Sequence, residues 1–506
     1  MYRFIRFVFC TVISSASVVA FGQSGVPVQL STEVGAYGST AARTPFWLRT
    51  NQWGSSPLKS PAGTLRLGIS RAWQPVDSLR RHRVRFTFGA EVVGNLNRDQ
   101  AVYGRQQVLI PEAFAAVRWR SVELWAGRRR QITGIVDTLL SSGSFAVSDN
   151  ALPIPKIELA TAGYVPLHFL GDAVAFKASF AHGLFNVPYI NRAFFHQKSA
   201  YVRFGRPRSP IQVQVGLNHQ VQWGGEGDYL REGIYALYAV DGRLTSNFND
   251  YLNSVVLGFI PSEWTSSRFT SFDGANRVGN HIGSIDAAVS LNRQRGAWLL
   301  YHQHPYEDAS GTAWRNFPDG LYGLSWQAKT GPVPGLFWQW RRVVGEVLTT
   351  KDQSGSAFNI AGQMYKGADN YYNHGQYREG WSYFRQTIGT PFLVPRPDIA
   401  RQEPLLPLSD NLFFPYSRVM AYYTAFEALA GGRATVQGRF SFSQNRIFYG
   451  GPGGDDNPLS QFSGMVRVSL PLRSLDNTTV SGALAVDQGR LLNTAVGGTI
   501  SLRRTW

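Results

Sequence analysis

The chain has 506 residues, a net charge of +17, 52 glycines and 13% aromatic residues. Its one cysteine, Cys10, falls in an N-terminal apolar stretch, which excludes disulfides and thiolate metal centres from the rest of the chain. The basic excess predicts anionic partners.

Residues 1–22 read as a secretory signal. Arg3 and Arg6 open it, an apolar stretch follows, and Ala20-Phe21-Gly22 supplies a small-x-small cleavage site before Gln23. No later segment reaches the roughly 18 continuous apolar residues of a spanning helix. No linker or compositional break divides 23–506, which predicts one domain.

Val84, Phe86, Phe88, Ala90 and Val92 alternate with polar residues, glycine and arginine. Val174, Phe176, Ala178 and Phe180 do the same, as do Ile211, Val213, Val215, Leu217, Val221 and Trp223. Ile285, Ala287, Val289 and Leu291 continue the pattern, then Ala434, Val436, Phe440 and Phe442. Phe462, Val466, Val468 and Leu470, then Val480, Leu484 and Val486, complete it. Successive strand side chains face opposite ways, so each segment has one oily and one wet face. The polar faces are rich in Arg, Gln and Ser, and the segments are long enough (about 9–11 residues) to cross a bilayer as tilted strands. In lipid such strands satisfy their backbone groups only in a closed barrel. The prediction is an all-β, transmembrane antiparallel barrel. At the C-terminus Ile500, Leu502 and Trp506 share a face and resemble the terminal signature read by barrel-assembly machinery. Arg504 interrupts that face and is expected to snorkel to the headgroups.

His219 is the odd residue on the apolar face of its strand; a bulge, or exit from the membrane before it, would explain it. His302 and His304 share a face, with Glu307 and Asp308 behind, but two histidines without a clear third ligand predict no metal site. Residues 345–415 show little strand pattern. A segment that long predicts a folded-in loop, lid or lumen plug.

Several segments do not alternate. They include 45–54 (PFWLRTNQWG), 124–130 (LWAGRRR), 137–143 (DTLLSSG) and 148–156 (SDNALPIPK). Further on come 196–203 (HQKSAYVR), 216–225 (GLNHQVQWGG), 369–378 (DNYYNHGQYR), 380–385 (GWSYFR) and 388–392 (IGTPF). In this order they resemble the capsule-assembly Wzi family of outer-membrane barrels, from about residue 45 to the C-terminus. The resemblance implies about 18 strands, with short helices near the periplasmic end. It also implies a lectin-like role, holding capsular polysaccharide at the surface of a Gram-negative cell.

Glycan binding in a wet lumen calls for aromatic faces among amide and guanidinium groups. Tyr371, Tyr372, Tyr377, Arg378, Trp381, Tyr383 and Arg385 supply that chemistry within fifteen positions. The two arginines suit the carboxylates of an acidic polymer. The alternative is an ordered plug with its rings packed. Arg129, in the triplet 128–130, is a further candidate, set against a headgroup-level rim. Neither a cofactor nor a nucleic-acid partner is expected; the expected partners are acidic polysaccharide, lipopolysaccharide and outer-membrane lipid, and the assembly machinery. Catalysis is not expected, since no Gly-x-Ser-x-Gly elbow occurs. A glycosidase would draw its carboxylates from Glu226, Asp228, Glu307, Asp308, Asp369 and Glu379. A porin or glycan export channel is the main alternative to a binding protein.

Overall fold

The computed structural model describes residues 27–73, 84–97, 108–357, 367–400, 412–449 and 457–506. The expected signal, 1–22, lies outside the described residues, as do 358–366 and 401–411 of the long segment.

Eighteen antiparallel strands form one closed barrel. In chain order they are β1 (Val28–Ser39), β2 (Ala62–Arg71), β3 (Arg85–Asn97), β4 (Val108–Trp119), β5 (Val122–Arg128) and β6 (Lys156–Thr161). Next come β7 (Val174–Leu184), β8 (Asn191–Phe204), β9 (Ile211–Glu226), β10 (Asn280–Asn292), β11 (Gly296–Tyr306) and β12 (Gly320–Ala328). The last six are β13 (Trp338–Thr349), β14 (Arg418–Ala430), β15 (Ala434–Arg446), β16 (Leu459–Pro471), β17 (Thr478–Gly489) and β18 (Ala495–Thr505). Each strand pairs with its chain neighbours, and β1 pairs with β18 to close the cylinder. Trp506 takes part in that seam: its N–H donates to the Leu30 carbonyl at 2.9 Å, and the Leu30 N–H returns the bond at 3.0 Å.

Most residues of the apolar faces identified from alternation point outward and are exposed or half-exposed; Val221 and Trp223 of β9 point outward but are buried. Val213, Val215 and Leu217 on β9, Val466 and Val468 on β16, Leu484 on β17 and Ile500 on β18 all face outward without cover. A water-soluble sandwich would bury this set; a contiguous apolar exterior of this extent marks a lipid contact. Gly438 serves this wall. It sits opposite Phe426, whose ring lies where a Cβ would stand, so the glycine lets the aromatic lie flat across the ladder.

The two rims differ. On the rim shared with the chain termini, strands turn tightly at 120–121, 293–295 and 431–433. On the other, the connections 40–61, 129–155, 227–279, 307–319 and 350–417 are long. In bacterial barrels tight turns face the periplasm and long connections the exterior. The helical turns Phe46–Arg49, Phe248–Asp250, Tyr251–Val256, Ser271–Ala275 and Ala309–Thr312 all lie in the long connections. The short helices expected near the periplasmic end are therefore mostly at the other end; His168–Leu170 is a 3-10 turn on the termini rim.

Candidate functional site

Three long connections enter the barrel and pack against one another: 40–61, 129–155 and the described parts of the third, 367–400 and 412–417. The strand pattern of β13 runs to Thr349, so the non-alternating stretch begins later than 345. The main buried cluster joins this plug to the inner wall: Phe46, Trp47, Leu48, Phe145, Tyr371, Tyr372, Tyr377, Trp381, Phe392 and Phe414 of the plug are all in it.

Carboxylates on the inner wall hold the plug by its backbone. Glu346 accepts from the Ser142 N–H at 2.8 Å and from the Ser141 hydroxyl at 2.6 Å. Asp286 accepts from the Ile135 N–H at 2.8 Å, and Asp487 from the Phe46 N–H at 2.8 Å. Asp137, on the plug, pairs with Arg342 of the wall at 2.8 Å. Hydrogen bonds to charged acceptors contribute about 1.5–3 kcal/mol each, so these anchors fix the plug in one position.

The expected sugar-binding rings are part of that packing. The Trp381 indole N–H donates to the Ala146 carbonyl at 2.7 Å. The Tyr377 hydroxyl donates to the Gly224 carbonyl at 3.0 Å, and the Tyr371 hydroxyl to Asp319 at 3.1 Å. Tyr372 donates to the Phe145 carbonyl and accepts from the Thr390 N–H at 2.9 Å. All four rings are essentially unexposed, at 0–1%. None offers a face to a ligand, and the packed-plug alternative describes them. Arg385 pairs with Glu379 at 3.5 Å and lies over the Phe413 ring. Arg129 pairs with Glu123 and lies over Phe114 and Trp125. Arg378 alone among these candidates is exposed, with its guanidinium over the rings of Tyr189 and Tyr229 at 5.4 and 5.0 Å.

Beside this plug, at the long-connection rim, lies a cavity of about 330 Å³. Glu307, Asp308 and Asp369 meet in it with Asn276, Asn280, Asn370 and Asn373, together with Arg277 and the Phe272 ring. The Ser310 hydroxyl lies between two of the carboxylates, 2.6 Å from Asp308 and 3.2 Å from Asp369. Burial, reinforced by the charge of Asp308, raises the Asp369 carboxyl to about 7. Burial holds Glu307 well above the usual carboxylate range, and it pushes His374 down to about 4. Of the other possible catalytic carboxylates, Glu226 pairs with Arg192 and Arg243. No cluster of three or more metal-ligating side chains occurs among the described residues. His304 instead bonds the Gly311 carbonyl and stacks on Trp314 at 3.9 Å.

A second cavity of about 350 Å³ occupies the lower lumen, between the plug and the termini rim. Arg66, Arg130, Arg467 and Arg503 line it with Glu33 and Glu91. Neither cavity was identified from sequence. Arg66, Arg467 and Arg503 sit on strands while Arg130 lies in the connection 129–155, and three of the rim asparagines, Asn276, Asn370 and Asn373, lie outside the strands.

No family model matches the chain, and no curated protein matches it by sequence. Among solved structures, Wzi of Escherichia coli superposes with a TM-score of 0.56 at 13% identity, over 93% of this chain and 83% of that one. That protein is described as an outer-membrane protein involved in group 1 capsule assembly and as a carbohydrate-binding β-barrel. OccK5 of Pseudomonas aeruginosa gives a TM-score of 0.44 at 8% identity, over 95% and 99% of the two chains. OccAB4 of Acinetobacter baumannii gives 0.45 at 6%, over 96% and 99%. The likeness to Wzi is one of fold, and with the closed eighteen-strand wall and its apolar exterior it makes this chain an outer-membrane β-barrel.

Proposed function

We propose that this barrel is a non-catalytic, non-conducting protein that binds acidic polysaccharide at the cell surface. The observation that carries the reading is the plug: its buried aromatic core and wall-anchored backbone leave the upper lumen filled rather than open. A filled lumen suits a protein that holds a ligand at its mouth, and Wzi, which shares the fold, is a carbohydrate-binding β-barrel. The rim offers suitable chemistry. Amides and carboxylates of the rim cavity can exchange hydrogen bonds with sugar hydroxyls, and exposed Arg378 can pair with acidic groups. Individually weak contacts suffice, because a repeating polymer engages many copies at once. The net charge of +17 favours anionic polymers and phosphate-bearing lipopolysaccharide alike.

Capture on immobilised acidic and neutral polysaccharides, at low and high salt, tests the proposal. Acidic polymer should be retained, retention should fall with salt, and Arg378→Ala should weaken it about two- to tenfold without changing barrel yield. Retention of neither polymer, or a shortened product after incubation, would refute it.

A further inference from the structure

The lower lumen has a composition that the rim reading does not use. We propose that it is a separate binding site for a small hydroxylated carboxylate, such as a single sugar acid. The cavity volume of about 350 Å³ lies within the range of ordinary ligand sites, roughly 300–1,000 Å³. Four arginines face two glutamates there, so the walls carry a positive excess. Glu91 is shared: it pairs with Arg66 at 3.4 Å and also with Arg130. Among the described residues Arg467 and Arg503 make no ion pair within 4 Å, although the Glu33 charge lies near enough to act on Arg467. Glu33 stands opposite Arg66 on one ladder and opposite Arg503 on the other, yet no ion pair forms across either.

These features point to one ligand class. Two guanidinium forks without an ion pair, Arg467 half-buried in the lumen and Arg503 exposed at its lower mouth, suit a carboxylate, which each can grip with two parallel hydrogen bonds. The remaining wall is hydroxyl-bearing, from Ser and Thr side chains of β1, β2, β17 and β18. Glu33, whose charge acts on Arg467 without a direct ion pair, can accept from a hydroxyl of the ligand. A ligand that fits must therefore carry negative charge and also donate hydrogen bonds, as a sugar acid does. An inorganic phosphate would meet the carboxylates of Glu33 and Glu91 with little to donate. A neutral sugar would leave the arginines unpaired. The site opens toward the termini rim, on the far side of the plug from the rim cavity, and stands whether or not the rim holds polymer.

Isothermal titration of the detergent-purified full chain with D-glucuronate, D-glucose and inorganic phosphate tests it. Glucuronate should bind at least about tenfold more tightly than either of the others, and its affinity should fall with salt. Arg467→Gln and Arg503→Gln should each weaken glucuronate about tenfold or more, with rim capture of polymer unchanged. The heat-modifiable gel shift of a folded barrel verifies that each variant assembles. Arg467→Lys, which keeps the charge, should recover part of the affinity and covers the case of a variant that fails to fold. Equal binding of glucuronate and glucose, equal binding of phosphate, or unchanged glucuronate affinity in the two glutamine variants would overturn the assignment.

Discussion

Two stretches of the barrel wall share an alternating sequence yet meet different surroundings. In β1, β2 and β15–β18 the outward faces are bare, and Leu65, Leu67, Ile69, Val466 and Leu484 meet lipid. In β7–β11 the same outward parity leads into a covered zone. Ile211, Val213, Val215 and Leu217 of β9 are exposed, but the next outward residues, His219, Val221 and Trp223, are buried. The connection 227–279 folds back over them outside the barrel, with Val255 and Val278 packed on Val221 and Trp223, and Tyr251 stacked on the Trp223 ring at 4.9 Å. Alternation reports which way a side chain points. It does not report what lies there.

This resolves the anomaly of His219. The β9–β10 register runs without a break through Asn218↔Ser284, His219↔Gly283 and Gln220↔Ile282, so no bulge turns the strand. His219 faces outward under the covering connection and bonds His281 at 3.0 Å. His182, His196, His281, His302 and His304 share its parity, so six of the nine histidines form an outward band there. Rings with polar edges suit a surface covered by protein on one side and near headgroups on the other.

The plug and the outer cover can be separated by experiment. The largest effect should come from removing Trp506: with its two seam bonds to Leu30 lost, assembled barrel should fall severalfold on the heat-modifiable gel shift. Next, Trp381→Ala empties the plug core, at about 3–5 kcal/mol, and should open measurable current in lipid bilayers. Trp223→Ala loosens only the outer cover, so it should increase protease cleavage in 227–279 while leaving the bilayer silent. Glu346→Gln keeps the shape but removes a charged acceptor from Ser141 and Ser142. It should cost the plug about 1–3 kcal/mol, seen as faster hydrogen exchange across 129–155.

The smallest effect is one of pH. Asp369 rises from 3.8 to about 7, chiefly through burial and then through Asp308. The folded rim therefore holds a proton that the unfolded chain releases between those values. The associated stability is complete below the unfolded value and is lost as pH rises through about 7. Rate-corrected hydrogen exchange in 307–319 and 367–374 should show stronger protection at pH 5 than at pH 8. Equal protection would mean that Asp369 is ionised throughout.

The wall was legible because lipid and water impose a period of two that no other environment enforces so strictly. The alternation at 433–443 locates β15, which extends to Arg446, and that from 211 to 223 locates β9, which ends at Glu226. The candidate site was less legible. Tyr371, Tyr372, Tyr377 and Trp381 were identified as a distinct cluster, but the residue types that stack on sugars also pack plugs. Only the backbone path shows which role they take. The lumen arginines lie at 66, 130, 467 and 503; the pairing of β1 with β18 brings the three wall arginines together, and the folded-in connection 129–155 brings Arg130 to them. Nothing local in the sequence encodes that convergence.

The central proposal is that the plug fills the upper lumen and that the barrel binds rather than conducts. Single-channel recording on the purified chain in planar bilayers tests it most directly. The account predicts a quiet membrane for the native protein and steady current for Trp381→Ala; stable open-pore current from the native protein would contradict it.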